Sequence, residues 1–290
     1  MSKVSVVIPT LNAADRIGGL VDILKAQERV PDEIYVVDSS SQDGTADAAR
    51  ERGARVKVID RSAFNHGLTR HEAVLETSGD FVCFLTDDAV PAGPAYLGNL
   101  LAPFADPEVA LVSGRQLPKA DARRFEQLVR GFNYGPESNV RTLGDLPRYG
   151  IKTYFATDVC SAYRRSAYLG AGGFGACDMS EDMLMAARFI NAGYKVAYAA
   201  DAEVYHSHNL GAAQQYRRNE LIGRFLQEHA DELGNVAEVG EGSSLAKSIA
   251  GQLVKEKDIP ELLAFGVDCV ARLAGNRAGR RHARKEAKRQ

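Results

Sequence analysis

No stretch of this chain is apolar for the ~18 residues that a membrane-spanning helix needs, and its longest hydrophobic runs are the length of one strand. Cysteine is scarce. The four, Cys83, Cys160, Cys177 and Cys269, form no C-x-x-C pair, so they support neither a structural zinc site nor a disulfide framework. Cys83, inside Phe81-Val-Cys-Phe-Leu85, is expected to be a small buried hydrophobe. No charged-then-apolar leader precedes the strand-like run from Val4, so no secretory signal is visible and the cytoplasm is the expected compartment. Internal repeats and long low-complexity tracts are also missing. What is present, 290 residues with 45% hydrophobic and 26% charged content, suits a folded soluble protein with one large α/β domain and an appendage, or two modest domains.

The net charge of −2 is unevenly spread. Arg272 to Gln290 holds eight Lys/Arg against one Glu, while the remainder carries 28 basic and 37 acidic residues, a net −9. A basic tail on an acidic body fits either a solvated end or docking at an anionic membrane surface. No groove-reading or base-stacking motif accompanies it, so nucleic acid is not expected as a partner.

The first half alternates strand-like and helix-like segments. Val4–Ile8, Ile34–Val37, Val56–Ile59 and Phe81–Leu85 are expected strands. Between them, helices are expected where Ile17, Leu20, Val21 and Leu24 recur at helical spacing, from Thr45 to Arg52, and over residues 68–77. That alternation predicts a mainly parallel sheet flanked by helices, with ligands beyond the carboxyl ends of its strands. Residues 125–132 predict a helix followed by an irregular loop, and residues 154–163 a strand-like stretch. Residues 181–192 predict a helix, 196–205 a strand pair, and two further helices are expected near 214–233 and 260–273. The expected division is residues 1–210 as the main domain and 211–290 as a helical extension ending in the basic tail.

Polar residues fall at the strand ends where a ligand is expected. Thr10 and Asn12 follow the first strand, Asp38 the second, and Asp87 and Asp88 the fourth. A carboxylate such as Asp38 can accept the imide N–H of uracil or thymine, or merely cap a turn. The pair Asp87 and Asp88 suits a divalent cation, which takes one or two carboxylates plus phosphate oxygens; a solvated turn explains a pair there less well. Asp182, in Met179-Ser-Glu-Asp182, sits in an expected first helical turn, where the dipole and free N–H groups would hold it ionised as a base. Ordinary helix capping from Ser180 is the alternative. His206 and His208, at i and i+2 after a strand, could share a metal or phosphate contact, but no Cys or third His lies at zinc-ligand spacing.

Together these segments resemble family 2 glycosyltransferases over Val4 to about Asn209. The opening VSVVIPTLN and VVDSSSQDGT is similar to that family's VSVVIPTYN and VVDDGSTDGT. The resemblance implies an inverting enzyme of the GT-A fold, with Pro9, Thr10, Asn12, Asp38 and Ser40 lining the nucleotide pocket and Arg70, in FNHGLTR, reaching the phosphates. The family's D-x-D motif falls on Thr86-Asp87-Asp88, which makes Asp88 the metal-binding position and Asp87 the variable middle one on the donor side; Mg²⁺ or Mn²⁺ is the implied cofactor. Asp182 matches the base, while His206 and His208 match a segment where some members place a histidine near the metal.

FNHGLTR, FLTDDAVP and VYHSHN further resemble bacterial rhamnosyltransferases. That implies a nucleotide-diphosphate sugar donor, dTDP-L-rhamnose, and a saccharide or lipid-linked acceptor. Separately, the C-terminal helices and basic tail are expected either to make peripheral contact with the inner membrane, where a lipid-linked acceptor would lie, or to be a disordered solvated end. A UDP- or GDP-sugar donor and a non-catalytic nucleotide-sugar-binding scaffold are the alternatives, the latter suggested by Thr86. A nucleotidyltransferase is disfavoured, because no glycine follows the first strand until Gly18.

Overall fold

A computed structural model describes residues 2–234 and 241–288. The chain packs as two compact units, the first comprising residues 1–116, 135–145 and 153–206.

The first unit is built on β1 (Val4–Thr10), β2 (Glu33–Asp38), β3 (Arg55–Val58) and β4 (Phe81–Leu85), all parallel and ordered β3-β2-β1-β4. Beyond β4 the sheet becomes mixed. β8 (Cys160–Arg164) lies antiparallel to β4, and β6 (Val109–Leu117) antiparallel to β8. β9 (Lys195–Tyr205) comes next and carries the short strands β5 (Val90–Pro91) and β7 (Asn139–Arg141) antiparallel to it.

Both faces of the sheet are covered because its strands alternate. Val4, Val6 and Ile8 of β1 pack with Ile17, Leu20, Val21 and Leu24 of α1 (Ile17–Lys25) and with Leu97 and Leu100 of a later helix, Tyr96–Leu101. On the first unit's aromatic side, Phe84 and Tyr163 lie 5.4 Å apart between ring centres, and Tyr168 and Phe174 5.1 Å apart. The first four strands and the helices between them lie where the sequence predicts, and the helix expected over 181–192 spans Glu181–Asn191.

Three expectations are corrected here. Residues 196–205 form one strand, not a pair, because Tyr-Ala-Ala-Asp-Ala has no Gly, Pro or Asp-Gly-type pair to reverse the chain. Residues 154–163 are strand only from Cys160 on. The strand β6 went unpredicted, since Ser-Gly-Arg-Gln breaks the apolar run Val109–Val112.

The second unit contains residues 117–134, 146–152 and the described residues from 207 on. Within it Phe125 and Val129, from a helix at Arg124–Asn133, bury against Ile249 and Leu253 of a helix at Glu241–Glu256 and against Phe265. The first of these helices is capped from a distance: Glu261 accepts the Phe125 N–H (3.1 Å), a carboxylate at a positive helix end. A further helix, Ala212–Glu228, replaces the one expected at 214–233. The last helix runs from Ile259 to Ala287, 29 residues, where a shorter helix and a tail were expected.

Candidate active site

Parallel register places the strand ends side by side. Thr10 stands opposite Asp38 across β1 and β2, and β4 on the other flank of β1 delivers Thr86, Asp87 and Asp88 to the same edge. Thr10 Oγ1 donates to Asp87 Oδ2 (2.7 Å), and Arg16 donates to Asp87 Oδ1 from Nε (3.2 Å) and Nη2 (3.1 Å). Asp87 therefore ties the first strand to the fourth.

Asp38 is buried and accepts from the backbone N–H of Ser41 (3.1 Å) and from its hydroxyl. The turn it closes carries strain: Ser40 has φ +56° and Asn12, in the facing loop, φ +50°. Each is held by specific bonds. Ser40 Oγ donates to the Ile59 carbonyl (2.7 Å), the Asn12 N–H donates to Ser41 Oγ (2.7 Å), and Asn12 Oδ1 accepts the Gln42 N–H (3.2 Å). Pro9 lies half-buried opposite Val37. The structure thus joins Pro9, Thr10, Asn12, Asp38, Ser40 and Asp87 along one edge, together with Arg16 and Ser41, which sequence reasoning missed. Thr86 Oγ1, at the first position of the D-x-D motif, is buried with no hydrogen-bond partner among the described residues.

Asp88 Oδ1 lies 3.5 Å from His206 Nε2. His206 is buried, and its Nδ1 is 2.9 Å from Gln116 Oε1. Gln116 spends its amide nitrogen on Thr157 Oγ1 (2.9 Å), so its oxygen faces the imidazole and the His206 proton belongs on Nδ1. That leaves Nε2 with a lone pair directed towards Asp88. A ligating histidine held through its other nitrogen is a recurrent metal-site arrangement, and the carboxylate–imidazole donor pair fits a divalent cation. Gln116 and Thr157 carried no sequence signal. His208 is exposed and falls in the second unit.

Asp182 lies in the first turn of the helix Glu181–Asn191 as expected, but its electrostatics differ from the expectation. Burial and the nearby carboxylates Glu181 and Asp158 push its pKa well above the ordinary range, overriding the helix dipole. Its oxygens accept the N–H groups of Asp158 (3.1 Å) and Met183 (2.7 Å). Ser180, at the N-cap, is left-handed (φ +69°) and makes no side-chain cap. Asp158 is buried, its pKa pushed up to about 6 by desolvation although Arg70, Ser161 and Tyr163 oppose the shift.

Arg70 does not open onto solvent. Its side chain is 5% exposed, and its guanidinium pairs with Glu181 at 2.9 Å and lies 3.8 Å from Asp158. It also donates from Nη1 to the carbonyl and Nδ1 of His66, each 3.2 Å away. Burial and that neighbouring cation lower the His66 pKa to about 4, so this imidazole stays neutral near pH 7. The arrangement is a buried carboxyl cluster beneath the expected base, neutralised in part by one arginine.

Residues 5–170 match the family described as glycosyl transferase family 2. The chain is 42% identical over 219 residues to the O-antigen chain rhamnosyltransferase RfbN of Salmonella typhimurium, covering 74% of this chain and 70% of that protein. It is 41% identical over 221 residues to the O-antigen chain rhamnosyltransferase WbaN of Salmonella anatum, covering 75% and 70%. In fold it resembles the mannosyltransferase PcManGT of Pyrobaculum calidifontis, solved with GDP-Man and Mn²⁺ (TM-score 0.65, 19% identity, 96% of this chain and 87% of that one).

Proposed function

The chain belongs to glycosyl transferase family 2 and has the GT-A fold, and on that footing we propose that this glycosyltransferase moves L-rhamnose from dTDP-L-rhamnose onto a hydroxyl of a polysaccharide or lipid-linked acceptor, with inversion. The observation that carries the reading is the single edge formed by Thr10, Asp38, Asp87 and Asp88, with His206 Nε2 turned to Asp88. The two Salmonella relatives support rhamnose as the sugar.

Asp38 keeps acceptor capacity beyond its bonds to Ser41, since a carboxylate has about four lone-pair sites. It takes the imide N–H of the pyrimidine base. Asp87, anchored by Thr10 and Arg16, keeps the donor edge rigid. Asp88 and His206 are the proposed holders of a divalent cation. A mixed oxygen–nitrogen donor set suits Mn²⁺ better than Mg²⁺, which prefers oxygen throughout. Such a cation offsets charge on the departing diphosphate.

Asp182 removes the proton of the acceptor hydroxyl as that oxygen attacks the anomeric carbon from the face opposite the leaving group. A raised pKa makes the ionised carboxylate a stronger base than an ordinary aspartate.

A thermal-shift titration with dTDP, UDP and GDP, each with and without Mn²⁺, tests the pocket, because a ligand bound to the folded state raises its melting point. Metal-dependent stabilisation by dTDP above the other two is expected. Preference for UDP or GDP removes rhamnose as the donor sugar, and no response to any of them removes the pocket.

A further inference from the structure

The helix Ile259–Ala287, hereafter the long helix, has two faces of different character within the second unit. One face packs against Ala212–Glu228 through small residues. A Cβ on Gly275 would meet the Tyr216 carbonyl at 2.2 Å, and one on Gly279 the Glu220 carbonyl at 1.9 Å, so the two backbones are nearly in contact.

The opposite face is exposed along its whole length. Its first half presents Ile259, Leu263, Val267, Val270 and Leu273, each more than half exposed. These positions share one side of a helix at 3.6 residues per turn. Continuing the same stripe, Arg277, Arg281, Lys285 and Lys288 follow, all exposed, and no carboxylate among the described residues pairs with them. The acidic side chains of this helix are directed elsewhere and already neutralised. Glu261 holds Arg123 (3.0 Å), Asp268 is buried against Arg272 (2.5 Å), and Glu286 pairs with Arg224 (2.6 Å).

We propose that this stripe is a membrane-docking surface, resting slightly tilted on an anionic lipid bilayer with its apolar half dipping towards the acyl chains and its basic half on the headgroups. Two observations select lipid over a protein partner. The apolar and cationic stretches run in line on one face, so both meet the same surface, and the three carboxylates of this helix are turned away from it. At 1.5 Å per residue the 29 residues extend about 43 Å, long enough to lie across many headgroups. Spanning is not involved, since none of the described helices is long and apolar enough to cross a membrane. This inference stands apart from the donor reading and survives its failure.

The chain contains no tryptophan, which gives the test a clean reporter. Val267→Trp in the full chain is mixed with vesicles of phosphatidylethanolamine and phosphatidylglycerol (7:3), and separately with phosphatidylcholine alone. A blue-shifted emission on the anionic vesicles only is expected. In flotation, Leu263→Ser/Val267→Ser/Val270→Ser and Arg277→Glu/Arg281→Glu/Lys285→Glu are each expected to cut the vesicle-bound fraction by about tenfold or more. Their melting points separate loss of docking from loss of folding; a variant that unfolds is replaced by Val270→Ser or Lys285→Glu alone, for which a smaller loss in the same direction is expected.

No emission shift, or flotation unchanged in the folded variants, overturns the proposal. So does a dimer in sedimentation velocity that the triple-serine variant abolishes while flotation persists, which would assign the stripe to a second copy of the chain.

Discussion

Gln116 Oε1, 2.9 Å from His206 Nδ1, fixes the imidazole so that Nε2 faces Asp88 3.5 Å away. Removing that acceptor frees the ring to rotate and to change tautomer. Gln116→Leu is expected to weaken Mn²⁺ binding about 10- to 100-fold, the range for lost outer-shell partners. Titration of free Mn²⁺ by electron paramagnetic resonance measures this independently of turnover. Unchanged affinity would mean that Gln116 does not hold His206 for metal binding.

Asp182→Asn removes the proposed base. Turnover should fall by several orders of magnitude while dTDP binding persists, the pattern of an interaction made only in the transition state. Near-normal turnover would exclude Asp182 from the role.

The raised pKa of Asp182 also fixes the sign of two pH effects. As a base it must be ionised, so kcat/KM is expected to fall as pH drops through a value well above the ordinary 3.8. For stability the dependence is opposite. The folded carboxyl holds a proton that the unfolded chain releases, so its contribution is present at low pH and lost as pH rises through the folded pKa. The melting point of Asp182→Asn relative to the parent should therefore climb as pH rises above the ordinary 3.8. A difference that is flat with pH would contradict the raised pKa.

Much of this site was legible in the sequence because strand ends announce themselves: an apolar β run followed at once by Thr10, Asp38 or Asp87 marks a carboxyl edge. The partners of those residues were not legible. Arg16 reaches Asp87 across 71 residues of sequence, Gln116 reaches His206 across 90, and Asp158 sits beneath Asp182 because β8 inserts beside β4. The expectation that Asp182 is held ionised weighed only the helix dipole and free N–H groups; burial first, then Glu181 beside it on the same helix and Asp158 from another element, reversed it. Arg70 was assigned to phosphate from its motif, yet the structure surrounds it with Glu181, Asp158 and His66. The length of the last helix was hidden because its packing face is made of Gly275, Gly279 and Ala283, residues with little hydrophobic signal.

That packing face gives a stability prediction. Gly279→Ala drives a methyl group into the Glu220 carbonyl and the Arg224 nitrogen, at 1.9 and 2.7 Å, and should destabilise the second unit by about 3 kcal/mol or more. Gly19→Ala, in α1 with no atom within 4 Å of the new carbon, is the control and should be neutral or stabilising by up to about 1 kcal/mol. Thermal unfolding separates the two, and equal effects would contradict the close helix approach.

Arg16→Ala and Thr10→Val each strip a donor from Asp87. Both are expected to raise the KM for the nucleotide sugar about tenfold, with less than additive effects together because they hold one carboxylate. An unchanged KM in both would detach Asp87 from the donor edge.

The most direct test of the central claim is transfer itself, followed by mass spectrometry. The purified chain is incubated with Mn²⁺, a saccharide acceptor series and either dTDP-L-rhamnose, UDP-glucose or GDP-mannose. The account predicts a mass increase of one deoxyhexose from dTDP-L-rhamnose, lost on chelation and lost in Asp182→Asn. Transfer from UDP-glucose or GDP-mannose in preference to dTDP-L-rhamnose would contradict it.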